Sequence, residues 1–202
     1  MMKLQSGGEE GEEREVVREE SRDEWARSVA HLVRETGGQW VGWAGCELSE
    51  ADLDQVGPQF SPVSLSQEEV ESQYRHCRQA LWPLLHSMAD RAVFCETHWA
   101  QYSRVNTIFA EATMAALRTM KAGQAGQAGQ VATIWVQDYH LMQVPNIVNT
   151  LAAQEGLDCR IGYFQHCPFP PWDMIKIHPW KDIFLQGMLG SHLIGNKHYN
   201  NT

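Results

Sequence analysis

The 202-residue chain has no run of eighteen or more apolar residues, so a membrane-spanning helix is not expected. Its opening residues are polar and acidic, without the apolar segment of a secretory leader. Basic side chains are scarce: 16 Lys and Arg stand against 25 Asp and Glu, a formal net charge of −9. A chain this acidic lacks the basic stripe that follows a phosphate backbone, which argues against a nucleic-acid partner. The five cysteines, Cys46, Cys77, Cys95, Cys159 and Cys167, form no CxxC pair, and their number is odd. Reduced thiols in a cytoplasmic protein are therefore expected, not a disulfide framework.

The residues present, 43% of them hydrophobic, are enough for a real core in one large or two small domains. Charge is unevenly spread. Residues 1–24 hold nine acidic and four basic side chains, which reads as a solvated, disordered arm. A docking segment for a basic partner is the alternative. Residues 25–202 are then expected to fold. Trp25, Val29, Leu32 and Val33 share one face of a helix that Gly37 and Gly38 end. Gln39 to Ala44 reads as a short strand, followed by a loop through Pro62. Ser66 and Glu69 have the spacing of a capping box, so a helix should start there and run to Trp82, where Pro83 breaks or kinks it. Another helix is expected over 97–120. The repeat Gly123-Gln-Ala-Gly-Gln-Ala-Gly-Gln reads as an expandable surface loop.

Beyond the repeat the pattern becomes regular. Val131 to Gln137 is a near-continuous apolar run, as in a strand covered on both faces. A helix over 140–154 tolerates Pro145 near its first turn. Arg160 to Gln165 is a second buried strand, 181–190 a helix, and His192 to Gly195 a third strand. This alternation predicts an α/β fold, a parallel sheet with flanking helices and right-handed crossovers.

Parallel sheets of this kind bind ligands beyond the carboxyl ends of their strands. The first strand ends in Asp138, Tyr139 and His140, the second in His166. If the two strands are neighbours, Asp138 and His166 meet at one rim. A carboxylate there accepts hydrogen bonds from sugar hydroxyls, and a histidine donates to an oxygen or a developing leaving group. Pro168, Pro170 and Pro171 make the segment after His166 stiff and unable to extend the sheet. Simpler roles exist: Asp138 as a helix cap, His166 as a structural histidine. Asp138, His140, His166 and Cys167 match no known metal-ligand spacing. Eight tryptophans are many for this length. Core packing is the default for each, but the loop and strand-end positions of Trp43 and Trp82 suit stacking on a sugar face.

Trp135-Val-Gln-Asp-Tyr-His-Leu-Met, Arg160-Ile-Gly-Tyr-Phe-Gln-His-Cys-Pro-Phe-Pro and Pro179-Trp-Lys-Asp-Ile-Phe-Leu-Gln-Gly-Met-Leu-Gly together resemble the trehalose-6-phosphate synthases. Gly38-Gln-Trp-Val-Gly-Trp-Ala-Gly and Leu81-Trp-Pro-Leu-Leu-His-Ser-Met-Ala-Asp-Arg extend the likeness, which covers about residues 37–195 and looks most like the animal, arthropod-type branch. The resemblance implies a retaining glycosyltransferase with two Rossmann-like lobes, transferring glucose from UDP-glucose to glucose 6-phosphate without a metal or other cofactor. It implies that Asp138 contacts the acceptor glucose and that Tyr74 and Trp82 line the acceptor pocket with Trp43 nearby. It places His166 at the reacting centre, on the donor glucose. No protein nucleophile is needed, because the leaving phosphate helps to deprotonate the acceptor hydroxyl.

The likeness has gaps. The family's opening strand with its Asn-Arg motif has no counterpart, and Ser6-Gly7-Gly8 is at most a remnant of its Gly-Gly loop. The Tyr74–Trp82 interval is one residue short. After Gly195 the family continues with an aromatic and His-Thr, where this chain has Asn196 to Thr202. The expectation is thus an N-terminal, acceptor-side lobe without its donor lobe and without meaningful synthase activity alone. The alternative is a non-catalytic regulatory paralogue that forms a homo- or hetero-oligomer with a full-length synthase. A metal-dependent hydrolase is a third, more distant reading.

Overall fold

The computed structural model describes residues 24–123 and 131–197. The acidic arm, Ser6-Gly7-Gly8, the repeat beyond Gly123 and the last five residues lie outside them. The chain divides into two compact units, residues 1–65 and 66–202.

In the first unit, helix α1 (Glu24–Thr36) ends at Gly37, whose φ of 65° suits a residue without Cβ. Strands β1 (Trp40–Gly42) and β2 (Phe60–Pro62) pair in parallel, Trp40 opposite Phe60. Between them the expected loop contains helix α2 (Glu50–Val56). Ser49 caps it: its hydroxyl accepts from the Asp52 N–H, and the Asp52 carboxylate accepts from the Ser49 N–H at 2.8 Å. An Asp at the third position closes the box as a Glu would, and a sequence search for Glu or Gln there passes over it.

The second unit opens with α3 (Gln67–His76), capped by Ser66 and Glu69 as the spacing predicts. The helix does not stop at Trp82. It passes through a π-helical turn (Cys77–Leu81) into α4 (Trp82–Leu85), with Pro83 in the first turn of the new segment. Pro83 cannot donate to the Gln79 carbonyl, which instead accepts from the Val93 N–H at 2.8 Å. The break is therefore repaired from a neighbouring loop.

Helix α5 (Glu96–Gly123) is followed by β3 (Ala132–Gln137), α6 (Val144–Gln154), β4 (Cys159–Gln165), the single turn α7 (Trp172–Ile175), α8 (Lys181–Leu189) and β5 (Leu193–Asn196). The strands form one parallel sheet in the order β3-β4-β5, so the expected α/β architecture is present. Its core joins α5, α6 and α8 to one sheet face through Tyr102, Met114, Val148, Ile161, Tyr163 and Phe184. Gly187 lets α8 approach the turn that leads into α6: a Cβ there would lie 2.4 Å from the Met142 carbonyl oxygen.

The burial of β3 differs from expectation. Trp135 is 45% exposed and Thr133 is also exposed. Trp135 lies over Gly162 of β4, where any Cβ would meet its ring at 2.3 Å. One face of β3 is thus covered by the core and the other only in part.

Candidate functional site

The carboxyl ends of β3 and β4 lie side by side, with Gln137 opposite Phe164 in the register. The first residue beyond β3 is Asp138, and the first beyond β4, after Gln165, is His166. The Asp138 N–H donates to the Phe164 carbonyl at 2.7 Å, and the Asp138 Oδ1 accepts from the His166 N–H at 3.2 Å. The acid and the histidine therefore meet at one rim, as neighbouring strands require. Both are partly exposed; the Asp138 side chain is 22% accessible.

Asp138 has φ 69° and ψ 168°, a conformation used almost only by glycine. It stands at the start of a 3₁₀ turn (Tyr139–Leu141), but its side chain makes no capping bond. The carboxylate reaches across to β4 instead. Among the described residues only Ser87 also combines a positive φ with a side chain. Strain of this sort costs about 1–3 kcal/mol and persists where surrounding structure imposes it.

That surrounding structure is visible. The Tyr102 hydroxyl donates to the Tyr139 carbonyl at 2.8 Å and accepts from the Met142 N–H at 3.3 Å. The Asn106 amide donates to the His140 carbonyl at 3.1 Å, and its oxygen accepts from the Gln143 N–H at 3.0 Å. Gln73 donates to the same His140 carbonyl at 3.3 Å. Helices α3 and α5 thus fix the backbone that follows Asp138. Tyr102 and Asn106 are fully buried, and nothing in the sequence singled them out. A polar pair spaced four apart on an otherwise apolar helix face is the signal that could have found them.

The His166 ring is also held. Its Nε2 lies 2.7 Å from the Gln137 Oε1, and it packs edge-on to Phe164. Gln137 was likewise not singled out. Its place at the last position of β3, beside the end of β4, is the clue.

The other predicted residues fall as follows. Trp82 is half-buried, stacks on His86 at 3.8 Å between ring centres and lies 6.1 Å from Tyr139, with the Arg78 guanidinium 5.5 Å above its ring. It stands beside the turn that follows Asp138. Tyr74 is 62% exposed on α3. Among the described residues no hydrogen bond or ring contact ties Tyr74 to Asp138 or His166. Trp43, half-buried just after β1, belongs to the first unit.

The electrostatics of the rim are simple. The His140 Nδ1 lies 3.7 Å from the Asp138 Oδ2. Burial, then the charge of Asp138, push the Cys167 thiol up to about 11, so it stays protonated and is neither a thiolate ligand nor a nucleophile near neutral pH. Among the described residues no three His, Cys, Asp or Glu side chains gather as metal ligands. The rim offers a carboxylate with free acceptor capacity and an oriented imidazole beside an aromatic shelf. Such a set binds polyhydroxylic molecules by hydrogen bonding and stacking.

A model of glycosyltransferase family 20 matches residues 2–202. The trehalose-6-phosphate synthase of Mycobacterium sp. (strain KMS) is 38% identical over 166 residues, which cover 81% of this chain and 31% of that protein. The enzyme of the same name from Mycolicibacterium smegmatis is 36% identical, over 85% of this chain and 33% of that protein. Among solved structures, a UDP-forming alpha,alpha-trehalose-phosphate synthase from Burkholderia xenovorans superposes with a TM-score of 0.67 at 27% identity, over 85% of this chain and 36% of that chain. A second structure from that organism, in complex with glucose-6-phosphate, gives 0.65 at 25% identity, over 88% of this chain and 38% of that chain. The chain thus spans about a third of the length of the curated relatives it matches.

Proposed function

The chain belongs to glycosyltransferase family 20, and on that premise we propose that residues 25–202 form the acceptor-side lobe of a trehalose-6-phosphate synthase. The lobe binds glucose 6-phosphate through Asp138 and presents His166 to the glucose of UDP-glucose. The observation that carries this reading is the strained Asp138, whose carboxylate joins the ends of β3 and β4. A backbone conformation this costly at the ligand-binding end of a parallel sheet is the mark of a working residue. One carboxylate oxygen holds the His166 backbone, which leaves the acid lone pairs for sugar hydroxyls. Trp82 supplies an apolar ring beside it. Tyr74 and Trp43 keep acceptor-side roles on the resemblance alone. No metal or other cofactor enters this chemistry.

Transfer between two sugars needs both held in register, because orientation supplies much of the rate. The 202-residue chain is therefore expected to bind glucose 6-phosphate without turning over. Titration calorimetry with glucose 6-phosphate tests this. Binding to the wild-type chain and a loss of about tenfold or more in Asp138→Asn are expected, given the strength of hydrogen bonds to a charged group. Absence of binding to a folded wild-type chain overturns the reading. UDP release at ordinary enzyme rates from UDP-glucose and glucose 6-phosphate overturns the inactivity. Capture of a full-length synthase with no response to sugar would favour a regulatory paralogue.

A further inference from the structure

We propose that Gln137 is a positioning residue that sets which nitrogen of His166 carries the proton; this rests on the reading above, in which His166 meets a sugar substrate. Gln137 and Asp138 are consecutive, and each takes one part of His166. The Asp138 carboxylate accepts from the His166 backbone N–H at 3.2 Å, and the Gln137 amide oxygen faces the ring Nε2 at 2.7 Å. Backbone and ring are thus fixed by neighbouring side chains from the end of β3.

An amide oxygen only accepts. At 2.7 Å the ring must therefore supply Nε2–H. A proton on Nδ1 instead would set the Nε2 lone pair against those of the amide oxygen. In the neutral ring, Nδ1 is then the acceptor nitrogen. A sugar hydroxyl that meets Nδ1 donates to it. This is the reverse of a histidine that donates to the substrate, and it fits a group that orients a hydroxyl better than one that protonates a leaving oxygen. The edge-on contact with Phe164, the residue opposite Gln137 in the register, restrains the same ring. Gln137 touches no reacting atom in this scheme and acts through His166.

The test uses the full chain with ¹⁵N-labelled histidine. Long-range proton–nitrogen spectra near pH 7.5 report the protonated nitrogen of each ring, and His166→Gln assigns the signal by its loss. The expected wild-type result is Nε2–H. Gln137→Leu is expected to shift the His166 signals toward a mixture of both tautomers. Gln137→Glu is expected to keep Nε2–H and to move the second protonation of His166 to higher pH, because a carboxylate replaces the amide. The upward pH shift in Gln137→Glu follows from charge alone, so the tautomer change in Gln137→Leu is the readout that a merely structural role would not give. An Nδ1–H ring in the wild type, or unchanged His166 signals in both variants, overturns the proposal. If Gln137→Leu fails to fold, an Nδ1–H ring in the wild type still overturns the proposal. Because no ligand is needed, this outcome is separable from glucose 6-phosphate binding: a clean Nε2–H ring with no sugar binding would sink the functional reading and leave the positioning role intact.

Discussion

His166 and the pair His76 and His178 carry the same side chain in opposite surroundings. His166 stands at the sheet rim, partly exposed, its backbone and its ring both hydrogen-bonded. His76 and His178 lie deep in the same unit, 1% and 0% exposed, their rings 5.4 Å apart. Trp99, Tyr102, Phe94 and Phe184 pack around them. Among the described residues neither nitrogen of His76 has a hydrogen-bond partner; His178 accepts only the Trp180 N–H, at 3.2 Å, through Nδ1. Burial, then the neighbouring His178, hold His76 at about 3; burial, then Lys181, hold His178 at about 4. Residue type is thus a poor guide to role. Surroundings decide: at the rim an imidazole is held by hydrogen bonds and partly exposed, and in the interior it is a neutral aromatic ring.

The largest expected effect follows from the interior pair. In the unfolded chain a histidine takes up a proton near pH 6.5; in the folded chain these two resist protonation until pH 4 or below. Between those values the unfolded state binds more protons, so stability rises with pH and falls on acidification. The loss from pH 7 to pH 4 should be on the order of 5 kcal/mol for the two together. Urea unfolding followed by circular dichroism at several pH values measures it. A stability that stays flat from pH 7 to pH 5 would show that the two rings are not held neutral, and would erase the contrast with His166.

A smaller effect tests the rim. Asp138→Gly removes the strain of φ 69° together with the hydrogen bond to His166. Asp138→Ala removes the bond and keeps the strain. The glycine variant should therefore be more stable than the alanine variant by about 1–3 kcal/mol, and both should lose glucose 6-phosphate binding. Equal stabilities would mean that the backbone of Asp138 relaxes without cost, and the strain could no longer be read as a mark of function.

The strands, their parallel order and the meeting of Asp138 with His166 were legible because apolar runs with polar ends mark buried parallel strands. The capping box at Ser66 was legible for its Glu69. The box at Ser49 was not, since its third residue is Asp52. The continuation of the helix beyond Trp82 was hidden too: it depends on the Val93 N–H reaching the Gln79 carbonyl, fourteen residues away in the chain. The left-handed backbone of Asp138 leaves no trace in residue type, and the grip of Gln137 needs the register of two strands. Pairings set by tertiary structure, more than local propensity, account for what the sequence concealed.

The finest test exchanges the two kinds of histidine for the same ring. His76→Phe replaces an imidazole whose nitrogens lack partners among the described residues by an apolar ring of similar shape. Removal of buried unpaired polar atoms should raise stability by about 1 kcal/mol near neutral pH and flatten the acid loss. His166→Phe, at the rim, should change stability by less than about 1 kcal/mol, because the backbone bond to Asp138 survives the substitution. It should nonetheless abolish the ring signal that reports on Gln137. If His76→Phe destabilises the chain instead, the interior imidazole has a polar partner that matters, and the division between an oriented rim histidine and an inert interior one must be redrawn.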